Sequence, residues 1–129
     1  MPILDSSALL ALLFDEPGAQ VTMDALHEPG TTISAVNLAE VVGVMVRKGG
    51  STTLVHRSLD ALSIPVVPFD GSLAFDVGVL EASTREQGMS LGDRTCLALA
   101  VACGRPLVTA DRALARQAER MQVAVRMVR

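Results

Sequence analysis

The chain has 129 residues, 50% apolar and 19% charged, which favours one aliphatic-cored domain over residues 1–129 and excludes a disordered chain. No apolar run approaches the ~18 residues of a membrane span, and Asp5 stands where a secretory signal would be basic, so we expect a cytoplasmic protein that does not enter membranes. The net charge is −3, yet residues 91–129 hold 7 Lys and Arg against 3 Asp and Glu, which makes this last part basic.

Short aliphatic or β-branched runs alternate with longer helical patterns along the chain. Strands are predicted at residues 2–4, 32–34, 64–68, 107–109 and 123–128, and helices at residues 6–14, 36–48, 51–62, 71–87, 91–103 and 112–120. Strands that are separated by helices need crossover connections. The pattern therefore predicts an α/β fold with a mostly parallel sheet covered on both faces.

Cysteine and histidine are too sparse for a zinc site. Cys96 and Cys103 are separated by about 10 Å of axial rise in a predicted helix, which is too far for a disulfide, and we expect both to be buried. His27 and His56 are isolated from each other in the sequence. Any bound metal must therefore be held by oxygen ligands.

Two acidic residues come just after predicted strands. Asp5 directly follows the first strand, and Asp111 follows the strand at residues 107–109 by two residues. Because ligands collect at the carboxyl ends of parallel strands, we expect both carboxylates to reach the same edge of the sheet. Each could instead cap the helix that it precedes, since Asp is a favoured N-cap residue.

Two further acidic residues lie within predicted helices. Ser90 and Asp93 have the spacing of a capping box, so Asp93 alone does not indicate a site. Glu40 interrupts the apolar stretch 36–46. We expect most of the circumference of this helix to be buried, and only Asn37 shares the face of Glu40 at helical spacing. A buried carboxylate needs a partner, and neither capping nor solvation supplies one here, which points to a cation.

Together the four carboxylates predict an oxygen-rich pocket that suits Mg²⁺ or Mn²⁺. Such an ion binds few carboxylates directly and keeps several waters, one of which can be activated to attack a phosphodiester. The residues therefore predict a metal-dependent nuclease. Its catalytic residues and metal ligands are Asp5, Glu40, Asp93 and Asp111.

These acids stand in four stretches, at residues 4–10, 33–41, 91–100 and 108–112. The stretches read Leu-Asp-Ser-Ser around Asp5, Asn-Leu-Ala-Glu up to Glu40, Leu-Gly-Asp-Arg-Thr-Cys around Asp93 and Thr-Ala-Asp-Arg around Asp111. They resemble the motifs of PIN-domain ribonucleases, particularly the VapC toxins. The resemblance runs essentially from end to end, and the stretches around Asp93 and Asp111 are the most specific.

The resemblance implies a PIN-like three-layer α/β/α fold with a mostly parallel central sheet. It implies a Mg²⁺- or Mn²⁺-dependent endoribonuclease that acts as the toxin of a type II toxin–antitoxin pair. Its implied partners are the RNA substrate, a VapB-type antitoxin that occupies the active-site groove, and a second copy of the chain in a homodimer.

The resemblance also implies roles for single residues. Asp5 and Asp93 would be the principal metal ligands, with Glu40 a further ligand or the group that orients the bound water. Asp111 would be the fourth acid. Ser7 and Thr109 match hydroxyl positions that hydrogen-bond within the acidic cluster of this family. Asn37 is predicted to support the site because it shares the face of Glu40 at helical spacing.

Three arginines are candidates for contact with RNA or the antitoxin. Arg94 stands beside Asp93, and Arg112 and Arg116 begin a row on the last helix that could grip phosphates or form only a solvated face. With no Trp or Tyr and only three Phe, a base-stacking platform is not expected. We expect Phe14 and Phe69 to belong to the core.

Other functional classes fit the sequence less well. A haloacid-dehalogenase-like phosphatase needs a second Asp where this chain has Ser7, and a response-regulator receiver needs a lysine late in the chain, whereas the only lysine is Lys48. Glycine-rich nucleotide-binding motifs are absent. The alternative that stays open is a catalytically silent PIN-like module that binds RNA or protein.

Overall fold

A computed structural model describes all of residues 1–129. Its elements, in chain order, are β1 (Ile3–Leu4), α1 (Ser6–Leu13), α2 (Ala19–Leu26), β2 (Thr32–Ser34), α3 (Ala35–Arg47), α4 (Thr52–Asp60), β3 (Val66–Val67), α5 (Gly71–Thr84) with a 3-10 turn (Arg85–Gln87), α6 (Leu91–Cys103), β4 (Leu107–Thr109), α7 (Arg112–Arg120) and β5 (Val125–Met127). None of the helices combines the length and the apolar character that crossing a membrane requires.

The five strands form one sheet in the order β3-β2-β1-β4-β5, and every pair is parallel. The predicted α/β class and parallel sheet are thus confirmed. One helix was not predicted: α2 has only eight residues and begins after Gly18, whose φ of 88° is left-handed. A glycine at this position gave no sequence signal for the start of a helix. Thr22 of α2 donates a hydrogen bond to the carbonyl oxygen of Ala8 at 2.8 Å, which fixes α2 against α1.

Side chains that alternate along the central strands divide the core into two layers. Ile3 and Leu107 point toward a cluster that includes residues of α5, α6 and α7. Leu4 and Val108 belong to the opposite cluster, which includes residues of α1, α2 and α3. Because successive strand residues face opposite sides of a sheet, each central strand contributes to both cores. The result is the predicted three-layer α/β/α arrangement.

The prediction that most of α3 is buried was wrong. Only Asn37 and Val41 are fully buried on this helix, whereas most of its apolar residues are half-buried and Val46 is exposed. The half-buried residues Leu38 and Val42 line an open groove of about 310 Å³ between α3 and α4. The solvated side of α3 therefore carries more apolar surface than the pattern indicated.

Three smaller predictions about burial were also wrong. Phe14, which ends α1, and Phe69, which follows the edge strand β3, are each 37% exposed. The ammonium group of Lys48 lies 4.6 Å from the ring centroid of Phe14. Cys103, the last residue of α6, is exposed, whereas Cys96 is buried as predicted.

The strand order places the candidate residues at the centre of the sheet. Starting from β1, the chain builds outward through β2 and β3 on one side and then returns to add β4 and β5 on the other. This reversal opens a crevice at the carboxyl ends of β1 and β4. Asp5 and Asp111 follow these two strands.

Candidate active site

Asp5 is held at the end of β1 by two hydroxyl groups. Ser7 Oγ donates to Asp5 Oδ2 at 2.6 Å, and Thr109 Oγ1 donates to the same oxygen at 2.8 Å. Asp5 has the extended backbone of an N-cap residue, but its side chain makes no capping hydrogen bond. The capping interpretation of Asp5 is therefore wrong, and the residue is buried, with only 3% of its surface exposed.

The same hydroxyl groups connect β1 to the turn after β4. The backbone N–H of Ala110 donates to Ser7 Oγ at 2.9 Å, and the N–H of Asp111 donates to Thr109 Oγ1 at 2.9 Å. Ser7 and Thr109 thus take part in the hydrogen bonding that the sequence resemblance implied for them. They fix the distance between the ends of the two central strands.

Glu40 projects from α3 into a set of neutral donors. Ser6 Oγ donates to Glu40 Oε1 at 2.6 Å, Asn37 Nδ2 donates to the same oxygen at 3.3 Å, and Ser90 Oγ donates to Glu40 Oε2 at 3.4 Å. The sequence offered only Asn37 as a neighbour of Glu40 on its own helix, and the structure adds donors from α1 and from the start of α6. These partners hold the carboxylate in place, but none of them compensates its charge.

Asn37 is the buried centre of this arrangement. Its backbone N–H donates to the N-cap Ser34 Oγ at 3.0 Å, which starts α3 in the right register. Its Nδ2 lies 3.0 Å from Ser6 Oγ, 3.1 Å from the carbonyl oxygen of Gly92 and 3.4 Å from Asp5 Oδ1. One amide therefore joins the first turns of α1, α3 and α6.

Asp93 and Asp111 both cap helices, as their spacing allowed. The N–H of Ser90 donates to Asp93 Oδ2 at 3.0 Å in a complete capping box, and the N–H of Leu114 donates to Asp111 Oδ1 at 3.1 Å. In each carboxylate the second oxygen accepts no hydrogen bond within the chain. Capping thus orients both side chains and leaves one oxygen of each for a ligand.

The four carboxylates, Asp5, Glu40, Asp93 and Asp111, form what we call the acidic cluster. None of the ion pairs in the structure involves any of them. Burial, and then the negative charge of Asp111, raises the pKa of Asp5, and burial together with the charges of Asp5 and Asp111 raises the pKa of Asp93. Hydrogen bonds to the carboxylates oppose this rise only in part.

The donor chemistry of the acidic cluster fits a hard cation. All of its candidate ligand atoms are carboxylate or hydroxyl oxygens, which Mg²⁺ and Mn²⁺ prefer. No three His, Cys, Asp or Glu side chains converge closely enough to chelate an ion by themselves. An ion here would take one or two carboxylates directly and complete its shell with water, as Mg²⁺ usually does.

The three candidate arginines are placed differently from one another. Arg94 is half-buried, and its Nε donates to Thr84 Oγ1 at 3.0 Å, which ties it to the end of α5. Arg112 and Arg116 are exposed on α7. None of the three pairs with a carboxylate of the chain. Their contact with RNA or an antitoxin stays a prediction.

Sequence reasoning missed Ser6 and Cys96 as neighbours of the acidic cluster. Ser6 binds Glu40, 34 residues away, and a serine after Asp5 gave no signal of this contact. The thiol of Cys96 donates to the carbonyl oxygen of Asp93 at 3.3 Å and lies 3.8 Å from Asp5 Oδ1. Burial, and then the surrounding carboxylates, raises the pKa of this thiol well above its usual value, so that Cys96 stays neutral.

Comparison with known proteins agrees with this geometry. The PIN domain family model matches residues 3–120. Ribonuclease VapC42 of Mycobacterium tuberculosis is 34% identical over 117 residues, covering 82% of this chain and 87% of that protein.

Solved structures show the same fold at lower sequence identity. VapBC-1 from nontypeable Haemophilus influenzae matches with a TM-score of 0.72 and 14% identity over 98% of this chain and 97% of that one. FitAcB from Neisseria gonorrhoeae matches with a TM-score of 0.71 and 19% identity over 99% of this chain and 98% of that one.

Proposed function

This chain belongs to the PIN-domain family, and on that premise we propose that it is a VapC-type ribonuclease, the toxin of a toxin–antitoxin pair. We propose further that it cuts RNA internally and that the reaction depends on Mg²⁺ or Mn²⁺. The observation that carries the proposal is the acidic cluster, whose four carboxylates have no cationic partner. Asn37 contacts both Asp5 and Glu40, and the charge of Asp111 acts on the pKa of Asp5 and of Asp93.

The residues of the acidic cluster have different roles in binding a metal and in orienting water. Asp5 has both its position and its rotamer fixed by Ser7 and Thr109, as a principal ligand requires. Asp93 offers its free oxygen from the start of α6. Glu40 is held where it can accept a proton from, or orient, an attacking water, and a bound Mg²⁺ or Mn²⁺ would lower the pKa of that water and neutralise charge developing on the phosphate.

Substrate binding is expected to depend on the same cation. The acidic cluster repels the RNA backbone, while the unpaired guanidinium groups of Arg94, Arg112 and Arg116 attract it nearby. We therefore expect a non-hydrolysable RNA analogue to bind more tightly with Mg²⁺ than without it. Equal affinities in the two conditions would contradict this part of the proposal.

The decisive experiment incubates the purified chain with total RNA in the presence of Mg²⁺, Mn²⁺ or a chelator. Asp5→Asn and Asp93→Asn are compared with Asp76→Asn, a matched change at an exposed residue of α5. Because a ligated metal supplies several kcal/mol of charge stabilisation, we expect each cluster variant to lose about 100-fold or more of the rate. Asp76→Asn should cut like the wild type.

Two results would refute the mechanism: cleavage that survives chelation, and full cleavage by either cluster variant. Binding of RNA or protein without cleavage under any metal condition would instead support the silent-module alternative, although the presence of all four carboxylates argues against it. The toxin role predicts that expressing the chain in a bacterium arrests growth and that Asp5→Asn abolishes the arrest.

The partners implied by the family are part of the proposal. The acidic cluster suits a basic side chain of a VapB-type antitoxin, which would compete with the metal and the RNA for the crevice. The homodimer stays a prediction that equilibrium sedimentation of the purified chain will decide.

A further inference from the structure

The carboxylate of Glu40 occupies space that only a glycine at position 92 leaves open. A Cβ built on Gly92 would lie 1.9 Å from Glu40 Oε1, 2.4 Å from its carboxyl carbon and 2.7 Å from Oε2. These are the nearest atoms from any other part of the chain. Gly92 stands in the first turn of α6, between the two partners of the capping box, and its backbone has no left-handed conformation that would require glycine.

Gly92 also takes part in the contacts that hold Glu40. Its carbonyl oxygen accepts a hydrogen bond from Asn37 Nδ2 at 3.1 Å, and the same amide donates to Glu40 Oε1 at 3.3 Å. The backbone of α6 is thereby held close to α3 at the point where Glu40 leaves its helix. A side chain at position 92 would enter the position of the carboxylate itself.

We propose that Gly92 is a positioning residue for the reaction, because its lack of a side chain provides the place in which the Glu40 carboxylate lies against the first turn of α6. This inference rests on the proposed function, since it assigns Gly92 to the same acidic cluster. It explains why a glycine, which a helix disfavours, stands in the first turn of α6.

The structure indicates what an alanine at position 92 would change. Glu40 Oε1 would have to withdraw by about 1.5 Å to reach the 3.4 Å of ordinary contact, which moves it out of the position in which it accepts the 2.6 Å hydrogen bond of Ser6. Because the carboxylate ends a flexible side chain, the backbones of α3 and α6 can stay in place while it moves. The position of the carboxylate is lost, and the cost to stability is limited to its hydrogen bonds.

The test compares Gly92→Ala with Gly78→Ala, a matched change within α5 where an added Cβ meets no atom within 4 Å. We expect Gly78→Ala to melt no lower than the wild type. Gly92→Ala should keep the far-UV circular dichroism of the wild type and melt lower by only the few degrees that a lost hydrogen bond costs. Titration with Mn²⁺, followed by electron paramagnetic resonance, should show an affinity about 10- to 100-fold weaker for Gly92→Ala only. Glu40→Ala should weaken Mn²⁺ binding similarly, and the double variant Glu40→Ala/Gly92→Ala should be no weaker than Glu40→Ala alone.

A second readout needs neither metal nor RNA. The carboxyl ¹³C resonance of Glu40 in the metal-free protein should shift in Gly92→Ala and stay in place in Gly78→Ala. An unshifted resonance, an unchanged Mn²⁺ affinity or additive losses in the double variant would each overturn the role of Gly92. Failure of the proposed function looks different: the wild type would bind no Mn²⁺ and cut no RNA, even though the Glu40 resonance responded to Gly92→Ala.

Discussion

Replacing Thr109 by valine tests how the acidic cluster is held. Thr109 is fully buried, and valine keeps its shape but removes the hydroxyl. That hydroxyl donates to Asp5 Oδ2 at 2.8 Å and accepts from the N–H of Asp111 at 2.9 Å. A hydrogen bond to a charged group contributes about 1.5–3 kcal/mol, and an unsatisfied, part-buried N–H costs about 1 kcal/mol, so we expect a loss near 3 kcal/mol.

Urea unfolding of the metal-free protein at neutral pH measures this loss. With an m-value of about 2 kcal/mol/M, the midpoint should fall by roughly 1.5 M while the m-value stays constant. Thr109→Ser is the control, because it keeps the hydroxyl and removes only a methyl group, at a cost of about 1 kcal/mol. The loss in Thr109→Val reports the hydroxyl and the loss in Thr109→Ser reports the methyl group, so we expect the valine variant to be about 2 kcal/mol less stable than the serine variant.

The cost of Thr109→Val should also depend on pH. As the pH falls through the raised pKa of Asp5, the carboxyl becomes neutral, and the hydrogen bond from Thr109 is then worth only about 1 kcal/mol. The difference in the free energy of unfolding between the valine and serine variants should therefore be smaller at acidic pH. A valine variant as stable as the serine variant, or a gap that does not change with pH, would refute this description of the cluster.

Two further predictions follow from the buried groups of the cluster. The pKa values of Asp5 and Asp93 are raised above 3.8 in the folded chain, so their contribution to stability is full below pH 3.8 and is lost as the pH rises through the folded pKa values. In urea titrations of the metal-free protein, Asp5→Asn should therefore make the free energy of unfolding fall less steeply with pH. The same pH dependence in the variant and the wild type would contradict this prediction. A thiol reagent should modify the exposed Cys103 in the folded protein and the buried Cys96 only on unfolding, and equal reaction rates at the two thiols would argue against the placement of Cys96.

Local signals allowed most elements to be predicted. The helix at Leu91–Cys103 and the strands at Thr32–Ser34 and Leu107–Thr109 have the predicted bounds, because capping residues and aliphatic runs mark their ends. The capping box of Ser90 and Asp93 was visible for the same reason, since its partners are three residues apart. Helix α2 lacked such a signal, as it is short and starts from a glycine in the left-handed region.

The sequence by itself determined the alternation of strands and helices and placed Asp5 and Asp111 at strand ends, since these features depend on neighbours along the chain. The acidic cluster could be predicted because strand order in a parallel fold brings those ends to one edge. Only the tertiary structure decided which donors hold each carboxylate. Ser6 meets Glu40 across 34 residues, and the space beside Gly92 exists only where α3 packs on α6, so no local pattern encodes either contact.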